Sequence, residues 1–100
     1  MIGYKLFRKR KDGTLGSLFI DRKRVIPIGK YLKAGIHPTK GFAYRPGWHV
    51  CSRPNAPHLS MKNRVWFKVR LRKNIIVIHR LISQGGIWYI AKEIKVLRKV

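Results

Sequence analysis

The sequence predicts a small single domain of the α+β class, β-rich, with a twisted, mostly antiparallel sheet and at most one or two short helices. Three observations predict it. In the stretch Arg64 to Arg72, Val65, Phe67, Val69 and Leu71 recur strictly at every second position, which is the period of a strand with one face buried. The turn signals Lys11-Asp12-Gly13 and Gln84-Gly85-Gly86 separate segments of strand composition. A chain of 100 residues that is 45% hydrophobic and 11% aromatic has core enough for one domain over residues 1–100. It is too apolar for a disordered basic tail.

The elements follow in order. Gly3 to Lys11 reads as a strand, Lys11-Asp12-Gly13 as its turn, and Leu15 to Asp21 as the returning strand. The loop from Asp12 to Gly16 has an ordinary hairpin length. Val25 to Ile28 is a short apolar piece ending at Gly29. Lys30 to Ala34 is expected to form one helical turn, stopped by Gly35. Gly35 to Pro57 holds four of the five prolines, so regular structure should be sparse there. Phe42, Tyr44 and Trp48 nevertheless mark that stretch as packed rather than as a linker.

In Arg64 to Arg72, Val65, Phe67, Val69 and Leu71 share one face. Arg64, Trp66, Lys68, Arg70 and Arg72 share the other. Ile75 to Ile78 is a continuous apolar run, read as a second, buried strand. From Ile87 to Val100 both helix and strand stay open. Ile87, Ile90, Ile94 and Leu97 have helical spacing, whereas Ile87-Trp88-Tyr89-Ile90 has strand composition and suits the β-rich remainder.

Twenty-four Lys and Arg stand against three acids, a formal charge of +21. Self-repulsion of that size works against a compact state. The expected partner is therefore a polyanion: nucleic acid, DNA or RNA, or an acidic protein or nucleoprotein. The apolar runs Ile75 to Ile78 and Ile87 to Ala91 are too short to span a membrane. The N-terminal MIGYKLFRKRKDG has no signal-peptide apolar region. The expected location is cytoplasmic, with no membrane partner. Cys51 is the only cysteine, so an internal disulfide is impossible. With neither G-x-G-x-x-G nor a Walker A sequence, no cofactor is expected.

The outward row Arg64, Trp66, Lys68, Arg70 and Arg72 is the strongest candidate interface. Alternate residues on a strand lie roughly 6.5 to 7 Å apart, close to the spacing of successive phosphates on an extended single strand. Such a row suits cations tracking a backbone while the indole stacks on a base. The competing reading is a solvated face whose charges resist aggregation. Two further clusters, Arg8-Lys9-Arg10-Lys11 and Arg22-Lys23-Arg24, flank the first hairpin and extend the cationic surface.

Trp48, His49, Cys51 and His58 form a second constellation. It offers at most three nearby metal ligands where structural zinc takes four, so no metal site is expected. His49 and Cys51 share a face if extended, and nearby cations would lower the thiol pKa. A buried structural cysteine is the competing reading. The acids exclude paired-carboxylate hydrolysis, which needs two close together. Asp12 reads as a turn residue, and Glu93 as an exposed acid offsetting Lys92 and Lys95.

The succession GYKLFRKRKDGTLGSLFI, PIGKYLKA, HPTKGFAYRPGWHV, PNAPHLS, RVWFKV and SQGGIWYIAKEIKVL resembles a family of small phage and prophage proteins over nearly the whole chain. RPGWH, APHLS and RVW are its most specific parts. The resemblance implies a mobile-element origin and the host cell cytoplasm. More distantly, the order of elements resembles ADP-ribosyltransferase-like folds, including the RNA 2′-phosphotransferase branch. That likeness implies Arg8, His49 and Glu93 as catalytic candidates, with Gly86-Ile87-Trp88 on a late strand. Three readings result. They are a phage-type basic protein binding nucleic acid or a nucleoprotein, an ADP-ribosyltransferase-like enzyme acting on nucleotide or nucleic acid, and an assembly or anti-defence protein binding an acidic partner. The acid-poor composition favours binding over catalysis.

Overall fold

The computed structural model of the chain describes residues 1–17, 25–34 and 47–100. Among these described residues nine strands run in the order β1 (Ile2–Lys9), β2 (Leu15–Gly16), β3 (Val25–Ile26), β4 (Tyr31–Lys33), β5 (Trp48–Cys51), β6 (Arg64–Arg72), β7 (Ile76–His79), β8 (Ile87–Ala91) and β9 (Glu93–Lys99). One 3-10 turn, Ile82–Gln84, is the only helical piece among the described residues. The domain is therefore β-rich without an α component there, and the α+β expectation is corrected to a β architecture.

The strands form one antiparallel sheet, β4-β9-β6-β1-β5-β8-β7, with β2 added to β1 and β3 to β2. Only Lys92, at a bend, separates β8 from β9. Yet β5, β1 and β6 lie between those two strands in the sheet. Two strands joined by a single residue cannot be far apart, since consecutive Cα atoms are 3.8 Å apart. The sheet therefore curls until its two halves meet at Lys92, as a small, partly open barrel. Trp48 marks the closure. From β5 its indole Nε1 donates to the Leu32 carbonyl of β4, 2.9 Å away, with β9, β6 and β1 between them in the path.

The interior collects one residue in two from each strand. Phe7, Trp48, Val50, Phe67, Val69, Leu71, Ala91, Ile94 and Val96 form most of it. Phe7 and Phe67 meet edge to face at 6.1 Å. Full burial of such a side chain is worth about 1.5–3 kcal/mol. Gly3 lies among them because any Cβ there would run into the Val50 side chain, and would stand 3.1 Å from the Cys51 carbonyl. A second, smaller cluster covers part of the outer face, where Cys51, Ala56 and Trp88 are buried against Leu59, Trp66 and Ile78.

The first hairpin forms at the expected turn, with its first strand ending at Lys9 rather than Lys11 and its return strand described only over Leu15–Gly16. Asp12 accepts from the Thr14 amide at 2.9 Å and from its hydroxyl at 2.6 Å, Gly13 takes φ 86°, and Arg8 and Lys9 pair with Gly16 and Leu15. The alternation of β6 shows in burial from Phe67 onward, where Phe67, Val69 and Leu71 are buried and Arg70 and Arg72 exposed, while Arg64, Val65 and Trp66 are all half-buried. Gly85 and Gly86 turn the chain at φ 98° and 74°.

Two expectations are corrected. The helical turn at Lys30 to Ala34 is strand β4, because Leu32 points into the core opposite Ile94 of β9. The buried strand expected at Ile75 to Ile78 is, among the described residues, an edge strand, exposed at Ile76 and Val77. In the proline-rich stretch the described residues hold one four-residue strand, β5, paired with β8. The question left open for Ile87 to Val100 resolves as two strands. The return strand beyond Ser17, the cluster Arg22-Lys23-Arg24, and Phe42, Tyr44 and Arg45 lie outside the described residues.

Candidate nucleic-acid interface

Strand β6 lies between β1 and β9, so its outward row gains neighbours on both sides. In register, Arg8 of β1 stands opposite Arg64. On the β9 side Lys68 stands opposite Arg98, Arg70 opposite Lys95, and Arg72 opposite Glu93. Directly opposed residues have Cβ atoms about 4.5–5.5 Å apart, and like charges there are destabilising. Three of these four cross-strand pairs are cation on cation.

The fourth is neutralised. Glu93 is 3% exposed, and its two oxygens take Arg72 Nε at 2.5 Å and Lys73 Nζ at 3.1 Å. Those two hydrogen bonds hold its carboxyl below the usual carboxylate range. The expected exposed acid beside Lys92 and Lys95 is thus a buried acid held by Arg72 and Lys73. The Arg72 guanidinium also lies 3.5 Å from the centroid of the Tyr31 ring. Arg72 is therefore committed to the fold, and the available row ends at Arg70.

At the other end of β6 a groove of about 410 Å³ is lined by Lys9, Arg64 and Lys99, with Trp66, Met61 and Pro54 as apolar wall. Trp66 faces outward as its register requires but is half-buried, because it also packs against the outer cluster. Its indole is held in place rather than swinging freely. Arg64 is tied too: its Nη1 donates to the Ser60 carbonyl at 3.0 Å. Arg10 and Lys11 lie in the hairpin turn, past the end of this row.

The residues of the second constellation meet only in part. His49 and Cys51 face the same side of β5, opposite Ile90 and Trp88. Cys51 is fully covered, and burial pushes its thiol up to about 12, although Lys5 and Arg80 pull it down. The expected lowering by cations is overruled by desolvation. His58 lies edge to face against Trp88 at 6.0 Å. No group of three metal-ligating side chains is present among the described residues. Of the catalytic candidates, Arg8 pairs with Arg64 at one end of β6 and Glu93 with Arg72 at the other. At about 3.3 Å per residue they are roughly 26 Å apart along the strand.

Sequence reasoning missed three residues. Lys95 and Arg98 join the cationic face only because β9 pairs with β6, and the register shift opposite Lys68 and Val69 breaks the alternation that would have revealed them. Lys5 was missed because it stands where an apolar residue is expected. It faces inward beside Phe67, and its ammonium donates to the His49 carbonyl at 2.8 Å.

No known family pattern, no curated protein and no solved structure matches the chain. No helix among the described residues is long and apolar enough to cross a membrane.

Proposed function

We propose that the protein binds nucleic acid, with the outer face of β1, β6 and β9 as the contact surface and the Trp66 groove at one end of it. The observation that carries this reading is the set of like-charged cross-strand pairs, Lys68 with Arg98 and Arg70 with Lys95 above all. Such pairing costs the free protein stability, and a row of phosphates would convert the cost into binding energy through counterion release. The groove supplies an aromatic face between Lys9, Arg64 and Lys99, the combination that suits a single strand. The phage-type reading of RPGWH, APHLS and RVW is compatible with this, since a basic domain that engages nucleic acid suits a mobile element.

The test is titration of a labelled generic oligonucleotide at several salt concentrations. Seven cations, Lys9, Arg64, Lys68, Arg70, Lys95, Arg98 and Lys99, line the face and groove. If each meets one phosphate, log K falls with log salt at a slope of about −5 for single strands. Absence of binding at low salt refutes the proposal. Pull-down from lysate with and without nuclease separates it from an acidic protein partner, which nuclease would leave bound.

A further inference from the structure

The cations are not spread evenly over the barrel. From Asn74 to Ala91 the sequence carries one charged residue, Arg80, and its guanidinium is turned onto the Trp88 ring, 5.1 Å from the centroid. The same stretch holds five of the eleven exposed large hydrophobic residues among the described ones: Ile76 at 58%, Val77 at 50%, Leu81 at 69%, Ile82 at 87% and Ile87 at 39% exposure. Among the described residues, strand β7 is the last in the sheet, paired with β8 on one side only. Ile76 and Val77 point to opposite faces of it, and both are exposed.

Natural edge strands are usually blunted by charge, proline or shortness. The opposite end of this sheet obeys that rule by charge, with Lys30 before β4 and Lys33 at its end. A chain with 24 Lys and Arg has placed none of them on β7. A polyanion gains nothing from such a neutral edge. An acidic protein would go to the cations. A second copy of this chain, itself at +21, meets no Lys or Arg on β7. Identical strands pair antiparallel about a two-fold axis without any further complementarity, and that arrangement closes both edges at once.

We propose that β7 is a self-association edge: two copies pair β7 against β7 in antiparallel register, with Ile76, Val77, Leu81 and Ile82 at or beside the joint. The inference is independent of the nucleic-acid reading, although a dimer would present two cationic faces to one polyanion.

Sedimentation velocity on nuclease-treated protein, freed of nucleic acid, over a range of concentration and salt tests it. The expected result is a concentration-dependent dimer that salt strengthens, because salt screens the repulsion between the two copies. Salt has the opposite effect on nucleic-acid binding, so the two outcomes are separable. Val77→Lys should weaken the dimer about tenfold or more, since like charges would meet at the joint. Ile82→Lys, at a fully solvated position, should act in the same direction, whereas Ile28→Lys on a distant exposed site should not. A monomer at every concentration and salt overturns the proposal. So does a dimer weakened by salt, or one indifferent to both Val77→Lys and Ile82→Lys.

Discussion

Replacing Lys5 by methionine should stabilise the protein at neutral pH and destabilise it at high pH. Lys5 occupies an inward position of β1 opposite Phe67. Its ammonium sits 5.9 Å from the Phe7 ring centroid and 5.8 Å from that of Trp48, and it donates to the His49 carbonyl. Burial lowers its pKa from 10.5 to about 8. At 1.36 kcal/mol per pKa unit the charged form costs the folded state about 3 kcal/mol. Between about pH 8 and 10.5 the folded protein has released this proton while the unfolded chain still holds it. The unfolded state then binds more protons, so stability rises with pH across that window.

Methionine removes the charge and keeps the length, but it leaves the His49 carbonyl without this donor, a loss of about 1 kcal/mol. The variant should therefore be more stable by about 2 kcal/mol at pH 7. It should be less stable by about 1 kcal/mol once the wild-type lysine is neutral in both states. Urea unfolding of both proteins at a series of pH values measures the difference, and taking the difference cancels the general relief of repulsion as other lysines titrate. A gap that stays constant from neutral pH to above the normal lysine pKa refutes the reasoning, as does destabilisation at pH 7.

Four other outcomes follow from the same structure. Ile94→Ala, at a fully buried site, should cost about 2–5 kcal/mol in denaturant unfolding. Trp48→Phe removes the indole bond to Leu32 that ties β5 to β4, and should cost about 1–3 kcal/mol. Stability should fall as pH drops through and below the carboxylate range, because Glu93 and Asp12 both have lowered pKa values in the fold. Their contributions are complete above the unfolded pKa values and are lost as each protonates. Native Cys51, raised from 9.0 to about 12, should react with an alkylating agent about a thousandfold more slowly than in the unfolded chain at pH 8, from its thiolate fraction alone; equal rates would show that the thiol is not covered.

Strand β6 was legible because its alternation is unbroken and one face is wholly apolar. The helical look of Ile87, Ile90 and Ile94 has a physical origin in the bend. Tyr89 and Ala91 face the core before Lys92, and Ile94 and Val96 face it afterwards, so the bend inserts one residue and inverts the parity. Two half-strands of opposite phase imitate a period between two and four. The run Ile75 to Ile78 was misplaced for another reason. An apolar run looks the same whether both faces are buried by protein or left bare at an edge. Lys30 to Ala34 was too short to carry any period, and only the partner strand β9 decides it. On the candidate interface, the outward row of β6 was readable from sequence. Its cation partners Lys95 and Arg98 were not, since pairing with Arg70 and Lys68, far off in the sequence, leaves no local trace.

The barrel also explains how so few acids suffice. A flat sheet would expose both faces and would have to distribute its cations over them. Curling the sheet reserves one face for the apolar interior and gathers the outward residues of β1, β6 and β9 onto a convex surface, where side chains diverge. One buried acid, Glu93, then fixes Arg72 and Lys73 at the end of β6 nearest the bend, the point at which the two halves of the sheet must be held together. Farther along the strand the pairs Arg70 with Lys95 and Lys68 with Arg98 have no acid in register. A protein selected for stability alone would gain by placing a glutamate at either position, as it has at Glu93. Leaving both cationic makes sense if the missing anions arrive with the ligand. On that account Lys95→Glu should raise the melting temperature of the free protein and weaken oligonucleotide binding together, whereas a purely structural face would show the first effect without the second.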